Sequence, residues 1–295
     1  QKSDQLRSFR NSENKRIGVS KEKPSLEHIN KMREISDKLN NINSKLDDIE
    51  SELNRLMLVI PNVPLEEVLN GNDETDNKVI FTKEDVKNIK TTIPHWDIAP
   101  KLGILDMEQG VKLAGSRWYV LKGKGAILQR SLVAWMLEKH NQNGYLEIAP
   151  PFLVKEEVMV GSGNLPKFSE LLYKDIEEDL WLIPTSEVAL NSLYFGDIIK
   201  EELPLKFVSH SQCFRREKAA AGRETRGIKR VHQFDKVELY KIVEPQNSKK
   251  ELEKIVNDAR AICSMLNLTH RVIKLCTGEL GFASAKSFDI EVWAP

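Results

Sequence analysis

Apolar residues fall at Met32, Ile35, Leu39, Ile42, Leu46, Ile49, Leu53 and Leu56, at successive spacings of 3, 4, 3, 4, 3, 4 and 3. This is an unbroken heptad seam: one narrow apolar stripe on a helix whose other positions are solvated. One helix cannot bury such a stripe alone. Asp4–Ile17 is also helix-compatible, and Gly18 with the Lys23-Pro24 step marks a turn. The pattern therefore predicts an antiparallel helical hairpin over residues 1–60. Its first arm is short for its partner, and further residues before Gln1 are the expectation that would explain this. "IPNVPLEEV" ends the seam, because two prolines cannot continue the helix.

A polar stretch containing "NGNDETDN" follows, and residues 61–91 read as a linker. From Thr92 to Pro295 the texture becomes α+β. Residues 125–140 predict an amphipathic helix, "GYLEIAPPFLV" a short strand stopped by Pro150-Pro151, and "LWLIPTSEVAL" another strand-like run. Residues 205–217 and 228–243 both alternate around a glycine-containing loop, which predicts a long antiparallel hairpin. Residues 246–267 read as a helix. This order favours an antiparallel sheet with flanking helices over a doubly wound fold.

Composition narrows the function classes. The chain carries 44 basic and 44 acidic residues, so any nucleic-acid contact must rest on local patches. Gln1–Lys23 holds seven basic residues against three acidic, and Gln212–Arg230 seven against two. The heptad seam alone favours simple dimerisation, while the basic first segment keeps open a second reading, contact with a phosphate backbone. Cys213, Cys263 and Cys276 are scattered and form no CxxC pair, so neither a disulfide framework nor a structural zinc site is expected. No apolar run reaches the roughly 18–20 residues of a membrane helix, and no signal-peptide core opens the chain. A membrane partner is not expected, and the location is expected to be cytoplasmic, with an organellar one left open.

The chemistry concentrates in "CFRREKAAAGRETRGIKRVHQFDKVE", Cys213–Glu238. Strand alternation puts Arg215 and Glu217 on one face, with Phe214 and Arg216 on the other; Phe234 and Glu238 also share a face. If the two faces coincide, an arginine, two carboxylates and a phenyl ring form one floor. Arginine grips phosphate bidentately, a phenyl ring stacks a base, and a carboxylate accepts from an amino group. That set suits an adenine nucleotide beside an amine. There is no GxxxxGK[ST] loop, and "GSG" at Gly161–Gly163 is not a dinucleotide fingerprint. His95, His210 and His232 read as ordinary polar residues, and Trp181 and Trp293 as core.

This stretch resembles motif 2 of the class II aminoacyl-tRNA synthetases, in the form used by seryl-tRNA synthetases. "KLAGSRWYVLKG", "PPFLV", "GSGNLPKF", "IPTSEVAL" and "CTGELGFASAKSFDIEVWAP" resemble the same family in the same order, across essentially the whole chain. The resemblance implies serine activation with ATP and Mg²⁺, followed by transfer to the 3′ end of tRNA(Ser). Thr185, Ser186, Glu187 and Glu238 would bind serine. Arg215, Arg216, Glu217, Val231, His232, Gln233 and Phe234 would bind ATP, with Arg215 on the α-phosphate and Phe234 stacked on adenine. Arg215 and Glu217 are the catalytic candidates. The heptad arm and the loop Lys218–Gly227 would meet tRNA, which moves the seam's reading from dimerisation to RNA. Helix 125–140 and the strand ending at Pro150 would form a homodimer interface.

The residues of motif 3, a second arginine and the groups that bind magnesium and the serine side chain, do not occur up to Pro295. They are expected beyond it, so no metal ligand is assigned in this chain and activity is expected to need them. Two other readings stay open: a non-catalytic tRNA-binding or scaffold module, and a ligase that aminoacylates a carrier protein. The arm counts against the second.

Overall fold

The computed structural model describes residues 2–20, 25–83, 93–218 and 226–294. The chain divides into two compact units, Gln1–Ile60 and Pro61–Pro295. The first is a helical hairpin of α1 (Lys2–Ser20) and α2 (Leu26–Met57). Its helices run antiparallel, since Arg7 Nη2 donates to Asn43 Oδ1 at 3.1 Å while Glu13 lies 3.8 Å from His28. Ser25 caps α2, its hydroxyl accepting from the His28 N–H at 3.2 Å.

Within this unit the heptad seam is covered over only part of its length. Ile35 and Leu39 are buried, whereas Leu46, Ile49, Leu53 and Leu56 are exposed. Nineteen residues against 32 explain the mismatch: at 1.5 Å per residue the first helix is the shorter by ~20 Å. The turn expected at Gly18 is corrected, because α1 continues through that residue; Lys23-Pro24 lies outside the described residues.

The second unit begins with the segment expected to be a linker. Asn62 and Leu65 donate backbone hydrogen bonds to Phe282 O and Ala285 O, both at 2.9 Å, and β1 (Lys78–Thr82) follows. Residues 61–83 are thus corrected from linker to part of this unit; residues 84–91 of the expected linker lie outside the described residues. The polar side chains of residues 61–83 hid a segment held by backbone hydrogen bonds, which composition does not report.

Next come α3 (His95–Lys101), β2 (Leu105–Asp106), α4 (Met107–Ala114), β3 (Val120–Leu121) and α5 (Lys124–Gln142). Gly110 of α4 lies so close to the Trp118 segment that a Cβ there would meet Trp118 O at 2.2 Å. The "GYLEIAPPFLV" run gives two short strands about its prolines, β4 (Leu146–Glu147) and β5 (Leu153–Lys155), before α6 (Glu156–Gly161). The "LWLIPTSEVAL" run is strand only as far as β6 (Leu180–Leu182); after Pro184 it turns into α7 (Glu187–Asn191). Val154, Met159, Leu165, Leu172, Trp181, Ile183 and Val188 form one buried cluster here. Each such side chain contributes roughly 1.5–3 kcal/mol when fully buried, so this core holds the Pro184–Glu187 turn firmly.

The long hairpin follows as β7 (Leu205–Phe214) and β8 (Gln233–Ile242), then α8 (Ser248–Met265), β9 (His270–Lys274) and β10 (Phe288–Val292). Strand order is β4-β7-β8 in one sheet and β1-β9-β10 in another, with β2-β3 and β5-β6 as two-stranded pairs. Pairings are antiparallel except β4 with β7, which are parallel, Leu146 opposite Phe207. A parallel pair needs a long crossover, and residues 148–204 supply it. The class is α+β as expected. Trp181 is core; Trp293 is corrected, being 46% exposed.

Candidate active site

The register of the hairpin settles which side chains meet. Cys213 pairs with Phe234, Ser211 with Lys236 and Ser209 with Glu238. Paired residues project to the same side, so Phe234, Lys236 and Glu238 share one face with Ser209, Ser211 and Cys213. The three β7 side chains are small and fully buried. They leave room for the Pro184–Glu187 turn to cross this face, where Ser186 Oγ donates to Ser211 Oγ at 2.6 Å.

Arg215 continues the face one step past β7. Its N–H donates to His232 O at 2.9 Å, its Nε donates to Pro184 O at 3.3 Å, and its guanidinium carbon stands 5.1 Å from the Phe234 ring centroid. The expected coincidence of faces is present for Arg215, Phe234 and Glu238. Glu217 arrives by another route. Strand pairing ends at Phe214, not residue 217, and Glu217 adopts a left-handed φ of 47°. Arg117 Nη1 donates to Glu217 O at 2.9 Å, and Arg230 stands 3.5 Å from the Glu217 carboxylate. A cavity of about 660 Å³ results, lined in part by Phe168, Pro184, Thr185, Arg215, Glu217 and Arg230.

Beside it lies a polar cluster that holds an ammonium group, that of Lys236. The Thr185 hydroxyl donates to Glu238 Oε2 at 2.6 Å and accepts from Lys236 Nζ at 2.8 Å and from the Glu187 N–H at 3.2 Å. Lys236 Nζ also stands 2.5 Å from Glu238 Oε2. Glu187 opens onto a cleft along β8 that Glu238 also lines. Crowding on its protein side, and then the Glu238 charge, raise the Glu187 pKa above its ordinary value; Lys236 opposes that rise.

Several expected site residues are placed elsewhere. Ser186 is fully buried, its hydroxyl bound to Ser211 beneath the turn. Arg216 turns away: its Nε donates to Leu172 O at 2.7 Å and its guanidinium lies over Tyr173. Gln233 donates to Gln212 Oε1 at 2.6 Å on the opposite face. Val231 is buried. His232 stacks on Trp118 with centroids 5.5 Å apart, and its Nδ1 lies 2.9 Å from Arg215 O. The Tyr173 hydroxyl lies 3.1 Å from the same nitrogen. His95 accepts from the Ile228 N–H at 2.8 Å, and His210 pairs with Asp235 at 2.6 Å.

Lys236 and Arg230 were not among the expected site residues. The signal for Lys236 was available, since the step of two from Phe234 to Glu238 passes through it. Arg230 gave none beyond the general cation excess. Of the loop Lys218–Gly227, residues 219–225 lie outside the described residues.

The description "Seryl-tRNA synthetase N-terminal domain" matches residues 1–64, and "tRNA synthetase class II core domain (G, H, P, S and T)" matches residues 168–295. The chain is 48% identical to a curated serine--tRNA ligase of Thermomicrobium roseum, with 99% of this chain and 66% of that protein covered. It is 45% identical to one from Roseiflexus sp., with 99% and 70% covered. The crystal structure of seryl-tRNA synthetase from Pyrococcus horikoshii complexed with ATP superposes with a TM-score of 0.87 at 31% identity, over 99% of this chain and 71% of that one. The chain thus spans about two thirds of the length of these relatives.

Proposed function

The chain belongs to the seryl-tRNA synthetases of class II, and from that premise we propose that the protein activates L-serine with ATP and transfers it to tRNA(Ser). The observation that carries this reading is one continuous face. It sets an arginine and phenyl ring beside a Thr–Lys–Glu cluster that already holds an ammonium group.

In the first step the serine carboxylate oxygen attacks the α-phosphorus of ATP, and pyrophosphate leaves with the electrons of the broken P–O bond. No strong base is needed, because the carboxylate is already ionised near neutral pH. Arg215 offsets the charge that builds on the α-phosphate, and Phe234 carries the adenine with Glu217 beside it. Thr185, Glu187 and Glu238 hold the ammonium group. In the second step a hydroxyl of the tRNA's terminal ribose attacks the seryl carbonyl; its proton is lost and AMP departs. Among the described residues no group of three His, Cys, Asp or Glu side chains is placed to hold a metal ion. Magnesium would arrive bound to the nucleotide phosphates.

The arm, residues 1–60, would lie on the tRNA, which reads backbone and shape more than bases; the core would be residues 61–295. α5 and β4 would form a homodimer interface. No helix among the described residues is long and apolar enough to cross a membrane, and a cytoplasmic location fits the reading. The match of residues 1–64 to a seryl-tRNA synthetase N-terminal domain counts against the carrier-protein ligase.

Serine-dependent ATP–pyrophosphate exchange by the full-length protein, with threonine and alanine run beside it, tests the proposal. Exchange with serine is the expected result; none with any of the three would leave a non-catalytic module. The pH profile adds a sign. Ammonium binding needs ionised Glu187, whose pKa lies above the ordinary 4.5. kcat/KM for serine should therefore fall with decreasing pH along a limb centred above that value, and the residual activity of Glu187→Gln should lack that limb. Stability moves oppositely: it is lost as pH rises through the raised folded-state pKa, because the crowded carboxyl must then charge.

A further inference from the structure

Lys236 lies between Phe234 and Glu238 on the active face, and its ammonium occupies the cluster assigned to the substrate's amine. We propose that Lys236 is the resident cation of this amine subsite, yielding its place to a ligand ammonium only when the ligand also brings an anion to receive the released lysine. The inference rests on the serine-activating reading above.

The hydrogen-bond inventory supports it. A threonine hydroxyl has one hydrogen to donate and two lone pairs. At Thr185 the hydrogen goes to Glu238 Oε2, and the lone pairs are taken by Lys236 Nζ and the Glu187 N–H. Every position on that oxygen is filled. A ligand ammonium held by Thr185 and Glu238 must displace Lys236 from both, since two ammonium groups cannot share one lone pair and repel at such range.

Lys236 is free to leave. Its side chain is 29% exposed and Glu238 20%, so their contact lies at the edge of an open cleft. The lysine stem has four rotatable carbons, and its head is a compact point charge. On the same strand face the next residue away from Glu238 is Phe234, over which Arg215 stands. The head released in that direction meets the junction where an amino acid carboxylate and a nucleotide phosphate converge. Lys236 then acts as a positioning residue, first holding the subsite and afterwards holding the ligand's carboxylate. Its charge also opposes the upward shift that crowding and Glu238 impose on Glu187.

The consequence is selectivity for a carboxylate. Ethanolamine carries serine's hydroxyl and ammonium but no carboxylate; it must displace Lys236 without offering it a partner. The test is calorimetric titration of the full-length protein and its Lys236→Met variant with serine and with ethanolamine. In the unaltered protein ethanolamine should bind far more weakly than serine. In Lys236→Met the ethanolamine Kd should fall and the serine Kd should not, narrowing the ratio by about tenfold or more, the scale of one displaced charge-assisted contact. Lys236→Gln provides the measurement should the methionine variant not fold. A ratio unchanged in the folded variant, with serine-dependent exchange intact in the unaltered protein, overturns the inference alone. Absence of both exchange and serine binding in the unaltered protein overturns the activation reading with it.

Discussion

Replacing Arg215 with alanine in the full-length protein is expected to lower serine-dependent pyrophosphate exchange by about three orders of magnitude, the upper range for removing one preorganised donor from a developing charge. Thermal unfolding should move only a few degrees. The fold asks little of this guanidinium: one 3.3 Å hydrogen bond to Pro184 O and a face contact with Phe234. A hydrogen bond of that kind contributes about 1 kcal/mol net, and its loss shifts the midpoint of a domain this size by roughly 2–4 °C. Arg215→Lys should fall between, because it keeps the charge and loses the fork. Exchange measured beside unfolding separates the outcomes. Near-normal exchange in Arg215→Ala would remove its proposed role, whereas equal collapse of exchange and folding would make it structural.

Deleting residues 1–60 should separate the two chemical steps. In the full-length protein exchange should draw on the chain from Pro61 onward, whose described part has its own buried core, and not on the arm. It should stay within about twofold. tRNA charging should fall by about a hundredfold or more in kcat/KM, because losing even a few phosphate contacts costs orders of magnitude in affinity at physiological salt. The charging defect should be largest at low salt, where the arm's phosphate contacts contribute most, and should shrink as salt screens them. Equal losses in exchange and charging would mean that the arm supports the fold and not the RNA.

Much of the architecture was legible because it is local. The heptad seam, α5, α8 and the β7–β8 hairpin each follow from a repeating side-chain period within one segment, and period is set by the backbone geometry of helix or strand. The shared face of Arg215, Phe234 and Glu238 was readable for the same reason. Alternation failed where the strand stopped. Glu217 joins the site through a left-handed turn anchored by Arg117, a hundred residues earlier in the chain, and no local spacing encodes that. The same limit hid where the Arg216 and Gln233 side chains go, since a residue's side of the sheet does not say that Leu172 O or Gln212 will be its partner.

By itself, then, the sequence determined the helices, the hairpin, the family and the residues able to meet phosphate, base and amine. Tertiary structure alone decided that residues 61–83 join the core, that Ser186 is sealed beneath the site, and that Lys236 takes up Thr185 from 51 positions away. The physical reason is the same throughout. Periodicity is a property of neighbouring backbone torsions, whereas burial and hydrogen-bond partnership depend on which distant segments arrive to compete for the same space and the same lone pairs.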